Sequence, residues 1–283
     1  MNERDDAVEI HRILVAVDAS PHSRAALEAA VEMAARFEAE LLGIFVEDIN
    51  LLRAAALPFA QELGGYSARL RRMSAEQVER HFRARVRRIE RLFNMLSERE
   101  AIHGSFRVVR GSVGTEIRVA AQEADVLIVG RVGWSQIRER QVGSTALAAC
   151  CDEIPGVTVV LQEGRRLAPP ITLVYDDSLA SRLALMVAAQ LVDELSGPLR
   201  VLLLTDDEDR LPELRVRAGR MLEDLGIVYQ MRGLVTSTLV NLVQAVYALD
   251  SRTLVLPATL SHIEGEAVIG LLEQLDIPVL LVR

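Results

Sequence analysis

The sequence predicts an α/β protein built from two consecutive doubly wound domains, each with a five-stranded parallel sheet. Three observations predict this fold: short unbroken apolar runs, amphipathic segments between them, and a repetition of the pattern in the second half of the 283 residues. Strands buried on both faces of a parallel sheet have such apolar runs, and the helices between them form right-handed crossovers.

The first half contains five predicted strands, in this order: RILVAVD (12–18), ELLGIFVE (40–47), SFRVVRG (105–111), DVLIVG (125–130) and VTVVLQ (157–162). After the first strand, Ser20 is placed to cap a helix that has Pro21 in its first turn. Apolar residues then recur at spacings of three and four, which predicts one buried helix face: Ala26, Ala30, Met33, Ala34 and Phe37.

The second half repeats this plan with five more predicted strands: ITLVYDD (171–177), LRVLLLTD (199–206), GIVYQMRG (226–233), TLVLPA (253–258) and PVLLVR (278–283). Asp18 and Ser20 correspond to Asp176 and Ser178, which indicates a tandem duplication. The proline-containing stretch EGRRLAPP (163–170) is typical of a linker. We therefore predict one domain over residues 1–165 and a second over 166–283.

The first copy carries an extra segment of about 36 residues between residues 50 and 100, by the change in sequence offset between the repeats. Part of it predicts a long helix with an apolar stripe: Val78, Phe82, Val86, Ile89, Phe93 and Leu96. Arginines on the same helix are one way to bind a nucleic-acid backbone. Glutamates are interleaved with them and the chain is acidic, so a solvated face is the favoured interpretation.

The composition excludes several classes of function. The net charge is −8, which argues against nucleic acid as the main partner, and no apolar run has the ~20 residues that span a bilayer. The sequence contains no lysine, so a Walker-type phosphate grip and Schiff-base chemistry are excluded. Two adjacent cysteines make a disulfide framework implausible. We expect a cytoplasmic protein without membrane insertion.

A glycine-rich stretch follows the fourth predicted strand, with the spacing G-x2-G-x9-G-S-T: Gly130, Gly133, Gly143, Ser144 and Thr145. It begins at the carboxyl edge of the sheet, where open α/β folds bind ligands. Free amides and hydroxyls before the helix TALAACC would attract an anion such as a phosphate. Each residue also has a structural interpretation: the glycines suit turns, and Ser144 suits a helix cap.

This spacing resembles the nucleotide-binding motif of the universal stress protein family. The resemblance extends to ILVAVDASPHSRAALEAA and to VVRGSVGTEIRVAAQEADVLIVGRVG, which are similar to the family's first strand and helix and to its third strand, helix and fourth strand. It covers the first half nearly completely and the second half in outline. The resemblance implies an adenine nucleotide alpha-hydrolase-like fold with strand order 3-2-1-4-5 and the binding of ATP, with or without Mg²⁺.

The resemblance also implies roles for individual residues. Asp18 would lie beside the ribose or a metal, and the backbone of Val46 would contact the adenine, while Ala16 would form part of the wall. The remaining positions would surround the ribose and cradle the phosphates: Val129, Gly130, Gly133, Gly143, Ser144 and Thr145. Asp18 also has an alternative as a residue that simply starts the next turn.

The second copy has lost most of these features. Pro257 replaces Gly130, and Gly270 is followed by two leucines instead of hydroxyl residues. We therefore expect residues 166–283 to bind no nucleotide and to pair with the first domain as an intramolecular pseudo-dimer, with a further homodimer left open.

The predicted function is that of an ATP-binding universal stress protein in which the nucleotide is a regulatory ligand. No residue is convincingly placed to activate water, so no catalytic residue is assigned and any ATPase activity would be slow. The five histidines have no ligand spacing, so no protein metal site is assigned. The alternative is an interaction module with a vestigial site that dimerises or docks on a protein partner.

Overall fold

A computed structural model describes residues 10–57, 61–63, 70–72, 74–132, 142–150, 154, 156–195, 197–236, 238–260 and 267–283. The elements of its first half are β1 (Arg12–Ala16), α1 (Pro21–Arg36), β2 (Glu40–Asp48), α2 (Ile49–Ala55), β3 (Gln61–Leu63), β4 (Leu70–Arg72), α3 (Ala75–Arg99), β5 (Gly104–Gly111), α4 (Val113–Ala121), β6 (Val126–Gly130), α5 (Ser144–Ala149) and β7 (Val157–Leu161). Those of its second half are β8 (Ile171–Tyr175), α6 (Leu179–Leu195), β9 (Leu199–Thr205), α7 (Leu211–Asp224), β10 (Tyr229–Val235), α8 (Leu239–Ala248), β11 (Thr253–Pro257), α9 (Ala267–Gln274) and β12 (Val279–Val282).

The strand order confirms the predicted doubly wound topology. Within the first half the order is β5-β2-β1-β6-β7, and within the second it is β10-β9-β8-β11-β12, which is 3-2-1-4-5 in both cases. All pairs inside each half are parallel. Each strand predicted from an apolar run is present.

Helices cover both faces of the sheet, so the strands are buried on two sides. One core cluster joins the strands to α1, α3, α6 and α7. The opposite cluster joins them to α4, α5, α8 and α9. The two-sided burial explains why these strand sequences are continuously apolar. Among the described helices, none combines the length and the apolar character that a membrane span requires.

The two predicted sheets are joined into one. Strand β7 pairs with β12 in antiparallel orientation, with Val160 opposite Val279 and Val157 opposite Val282. The result is a sheet of ten described strands with β5 and β10 at its outer edges. The sequence indicated two sheets but not the pair of strands that connects them.

Side chains from the first half reinforce this junction by contacting the end of α9. The Arg131 guanidinium donates from Nη1 to the carbonyls of Leu275 at 3.0 Å and Leu272 at 3.3 Å. Gln162 donates from Nε2 to the Ile277 carbonyl at 2.9 Å. A cation at the carboxyl end of a helix stabilises its unpaired carbonyls and its dipole.

The reverse contact runs from the second half to the end of α5. Arg283 donates to the Ala149 carbonyl at 3.1 Å and to Thr158 Oγ1 at 3.0 Å. Each half therefore donates hydrogen bonds to the end of a helix of the other half beside the β7–β12 pair.

The predicted long helix of the extra segment is α3. Its stripe is confirmed, because five of the six predicted side chains are buried and the sixth packs against the core partly buried: Val78, Phe82, Ile89, Phe93 and Leu96, with Val86. The second half passes from β9 to α7 through a single turn, Glu208–Arg210, and has no counterpart of α2, β3 and β4 in that stretch, all of which is described.

Candidate functional site

A cleft opens at the carboxyl ends of β1, β2 and β6. The chain runs from β1 outward to β2 and β5 before it returns to β6, so this is the point where the strand order reverses. Open α/β sheets form their ligand crevices at such points. The cleft has about 780 Å³ of space, including the open solvent at its mouth.

The cleft is lined by strand ends and by the first turns of neighbouring helices. These residues are Ala16, Val17, Asp18, Ser20, Ser23, Ile44, Phe45, Val46, Asp48, Leu51, Phe82, Arg85, Val113, Ile117, Gly130, Val132 and Thr145. Five of the residues predicted from the sequence are therefore brought together: Ala16, Asp18, Val46, Gly130 and Thr145.

The other predicted residues lie elsewhere or outside the described chain. Val129 is fully buried in β6 and packs in the core that contains Ala16. Gly143 is buried at the start of α5 and is not among the lining residues. Gly133 lies outside the described residues, as does the side chain of Ser144, whose backbone begins α5.

Asp18 holds the turn that connects β1 to α1. Its Oδ1 accepts a hydrogen bond from the Ser20 amide at 3.0 Å, and its own amide donates to Ser23 Oγ at 2.9 Å. Ala19 between them has a φ of 67°, which is uncommon for a residue with a side chain. Ser20 caps α1 by accepting from the Ser23 amide, as the sequence predicted.

The second half has the same turn. Asp176 Oδ1 accepts from the Ser178 amide at 3.0 Å, and Asp177 has a φ of 64°. The structural alternative for Asp18 is therefore correct as far as the turn is concerned. Asp18 also lines the cleft, so the residue that holds the turn borders the candidate site as well.

Gly130 is a glycine because α1 begins directly against it. A Cβ at Gly130 would lie 2.8 Å from the backbone carbon of His22 and from the amide nitrogen of Ser23. Neither atom belongs to a flexible side chain. The packing of α1 on β6 therefore requires this glycine whatever the cleft binds.

Val46 brings backbone polar groups to the cleft. The Val17 amide donates to the Ile44 carbonyl at 2.9 Å, so the backbone polar groups of Ile44 point towards β1. Backbone direction alternates along a strand, and those of Val46 therefore point the same way. The paired part of β1 ends at Ala16, opposite Ile44, so the N–H and C=O of Val46 face the cleft.

One amide of the predicted phosphate cradle is already engaged. The Gly143 N–H donates to the Arg131 carbonyl at 2.7 Å, and the Arg131 N–H donates to the Leu161 carbonyl. These bonds tie the two ends of the glycine-rich stretch together at the edge of β7. They leave Thr145, in the first turn of α5, as the described residue of that helix that lines the cleft.

The extra segment contributes residues that the sequence analysis did not assign to the site. Leu51 comes from α2, and Phe82 and Arg85 come from α3. Burial lowers the pKa of the Arg85 guanidinium, and the nearby charge of Asp18 opposes that effect. A signal was present, because Arg85 follows the buried Phe82 by three residues and so lies on the same side of the helix.

His22 lies at the start of α1 and contacts the linker. Its Nδ1 accepts a hydrogen bond from the Glu163 amide at 3.0 Å, which requires the unprotonated nitrogen. Burial, followed by the positive charge of Arg131, lowers the pKa of His22 below 6.5, although carboxylates of Glu163, Asp18 and Asp276 act in the opposite direction.

We expect this contact to make stability depend on pH. Between the lowered native pKa and the unfolded value of about 6.5, the unfolded chain binds more protons than the folded one. The contribution of His22 is therefore complete above pH 6.5 and is lost as the pH falls through the native value. Denaturant titrations of the wild type and of His22→Asn should differ most at pH 7.5, and the difference should shrink as the pH is lowered below 6.5. The exposed His81 gives a control, and a gap for His22→Asn that does not change with pH would contradict the prediction.

Comparison with known proteins agrees with this architecture. A universal stress protein from Archaeoglobus fulgidus DSM 4304 matches with a TM-score of 0.73 and 15% identity, over 96% of this chain and 98% of that one. A functionally unknown protein from Pseudomonas aeruginosa PAO1 matches with a TM-score of 0.57 and 13% identity, over 97% and 92%. At these identities the likeness shows the fold.

The family is shown at the level of sequence. No curated protein sequence matches the chain. The model of the universal stress protein family matches residues 9–149, which contain β1 to β6, the cleft and the described part of the glycine-rich stretch. With two five-stranded halves in the order 3-2-1-4-5 and this match over the first of them, the chain belongs to the universal stress protein family and has a tandem layout.

Proposed function

We propose that the first half of the chain, residues 1–165, is a domain that binds an adenine nucleotide, ATP foremost, as a regulatory ligand. The observation that carries the proposal is the cleft at the strand-order reversal, where Ala16, Asp18, Val46, Gly130 and Thr145 come together. Gly130 and Thr145 lie in the stretch that resembles the family's nucleotide-binding motif, and the resemblance assigns nucleotide contacts to the positions of Ala16, Asp18 and Val46 as well. The proposal includes a role in the stress response and a cytoplasmic location.

The described residues fit the nucleoside part of such a ligand well. The N–H and C=O of Val46 offer an adjacent donor and acceptor for the edge of an adenine, between apolar walls that include Ile117 and Phe45. Asp18 presents a carboxylate to the same space, where ribose hydroxyls would find an acceptor. ATP would supply charge and a flat heterocycle to this cleft, and the chain would supply orientation and shielding from water.

The second half, residues 166–283, is proposed to bind no nucleotide and to serve as the other half of an intramolecular pseudo-dimer. It has Pro257 at the position of Gly130, and a proline has no amide to offer. Its β12 pairs with β7, which supports a role in completing the sheet.

A substitution at Asp18 tests the site with a matched control. Asp18→Asn keeps Oδ1 as an acceptor for the Ser20 amide but removes the charge, so the turn is retained. We expect ATP affinity to fall about tenfold or more, as for the loss of a charged hydrogen-bond acceptor. Asp176→Asn makes the same change in the equivalent turn and should leave ATP affinity unchanged.

Isothermal titration calorimetry of ATP into the wild type and both variants gives affinity and stoichiometry together. One ATP per chain is expected. Two equivalent sites would contradict the proposal for the second half, and equal losses in both variants, or none in Asp18→Asn, would contradict the site.

One observation favours a second candidate, an interaction module with a vestigial site. The Gly143 amide donates to the Arg131 carbonyl, so it is not available to a phosphate in this conformation. Wild-type protein that gives no saturable ATP binding in the same titration, and that carries no copurified nucleotide, would decide for this candidate.

A further inference from the structure

The turn after β1 and the turn after β8 have the same backbone but different side chains on either side of the matching aspartate. We call these two flanking positions the corner of the turn. The correspondence of Asp18 with Asp176 places Tyr175 at the position of Val17 and Asp177 at the position of Ala19. Ala19 and Asp177 share the same left-handed backbone conformation, with φ values of 67° and 64°. The backbone is therefore conserved between the halves while the side chains are not.

In the second half this corner is filled and its charges are paired internally. The fully buried Tyr175 donates its hydroxyl to Asp177 Oδ1 at 2.9 Å, and Arg182 contacts the same oxygen at 3.1 Å. Arg217 of α7 contacts Asp177 Oδ2 and also Glu213 at 2.5 Å. Two arginines are thus neutralised by carboxylates of the chain itself.

In the first half the same corner lies beside the cleft. Val17 lines the cleft in place of a tyrosine ring, and Ala19 brings no carboxylate to the turn. Among the helices on this face of the sheet, α3 places the half-buried Arg85 in the cleft wall next to Phe82. The part of α3 that carries both residues belongs to the segment that the second half lacks.

A half-buried arginine in a binding cleft is costly unless it meets negative charge. The charge of Asp18 in the turn acts on this arginine before any ligand binds, and a ligand phosphate would add to it. A guanidinium also has a planar set of donors that matches the oxygens of a phosphate, and such charge-assisted bonds are strong where water is partly excluded.

We propose that Arg85 binds a phosphate of the nucleotide and thereby makes the cleft selective for nucleotides over nucleosides. This inference rests on the proposed function. It adds a specificity-determining residue on α3, outside the glycine-rich stretch, and it explains why the first half has no counterpart of Tyr175 and Asp177.

The test compares ATP and adenosine binding to Arg85→Gln and to a matched control. Arg83 lies two residues away on the same helix, is 67% exposed in its side chain and pairs with Glu79, so Arg83→Gln removes a charge outside the cleft. We expect Arg85→Gln to lower ATP affinity tenfold to about a hundredfold while adenosine affinity stays within twofold. Arg83→Gln should change neither.

A second variant tests the corner itself. Ala19→Asp places a carboxylate where the second half has Asp177, in a backbone conformation that aspartate tolerates better than alanine, so the fold should be retained. Its charge would compete with the ligand phosphate for Arg85, and ATP affinity should fall at least tenfold with adenosine affinity unchanged. Circular dichroism checks that both variants are folded.

The outcomes separate this inference from the proposed function. Wild-type protein that binds ATP and adenosine equally, or an Arg85→Gln variant that loses both ligands equally or neither, overturns the inference while nucleotide binding stands. Wild-type protein that binds neither ligand overturns both.

Discussion

Gly130→Ala is expected to lower the free energy of unfolding by about 3 kcal/mol, the upper part of the usual range for overpacking a close contact. The added Cβ would lie 2.8 Å from backbone atoms of His22 and Ser23, and neither can move without shifting the start of α1. Ser20 and Ser23, which line the cleft, would shift with that turn. The variant should therefore also bind ATP more weakly than the wild type.

Gly219→Ala is the matched control for this prediction. At Gly219, inside α7, the nearest atom to an added Cβ is the Tyr229 hydroxyl oxygen at 3.4 Å, which is an ordinary contact. Alanine favours the helix over glycine by roughly 0.5–1 kcal/mol, so this variant should be neutral or slightly more stable. Urea titration followed by circular dichroism measures both. If Gly130→Ala were as stable as the wild type, α1 would have to sit farther from β6 than the structure places it.

The expected effect of Gly130→Ala rests on a packing role of this glycine that the motif does not reveal. The resemblance in sequence places Gly130 beside the ribose and the phosphates of a nucleotide. The structure assigns the glycine a packing role first, because helix α1 occupies the space of its missing side chain. Spacing alone cannot separate the two roles, since both occur at the carboxyl end of a buried strand.

The strands were predictable because a strand that is buried on both faces is apolar at nearly every position. Strand β6 and strand β8, for example, are buried at all five positions and are apolar almost throughout. The strands that join the two halves, β7 and β12, also differ from the outer strands of the sheet. The outer strand β5 has no fully buried position and exposes most of its residues, whereas β7 and β12 are buried at every position. An outer strand as apolar as an inner one indicates that it has a neighbour.

The site was predictable only as far as strand ends determine it. Ala16, Asp18 and Val46 lie where β1 and β2 end, and the parallel topology brings those ends together. Phe82 and Arg85 reach the cleft because of where α3 lies, and that position depends on its packing against α1, α2, β2 and β5. A sequence pattern gives the buried face of a helix but not what its ends approach.

Arg131→Ala is expected to weaken the whole molecule by about 2–4 kcal/mol, because Arg131 holds the two halves together. Its side chain donates to the carbonyls of Leu272 and Leu275, at the carboxyl end of α9, and it is only 9% exposed. Removal would leave these buried carbonyls without a charged donor, a loss of the size seen for hydrogen bonds to charged groups and for helix-end cations.

Arg165 provides the control at the same end of α9. It pairs with Asp276 at 2.6 Å, but both side chains are about half exposed, at 49% and 59%. Exposed ion pairs contribute less than about 1 kcal/mol, so Arg165→Ala should be nearly neutral. Equal effects of the two substitutions in a urea titration would mean that the Arg131 contact adds no more than a surface charge.

The Arg131→Ala variant also separates an effect on stability from an effect on ATP binding. The Arg131 side chain makes the hydrogen bonds to the second half. The Gly143 amide instead donates to the Arg131 main-chain carbonyl, which alanine retains. The cleft is formed by first-half residues and does not include Arg131. Arg131→Ala should therefore bind ATP with wild-type affinity at a temperature where it is folded. A parallel loss of ATP affinity would instead show that the second half shapes the site through this arginine.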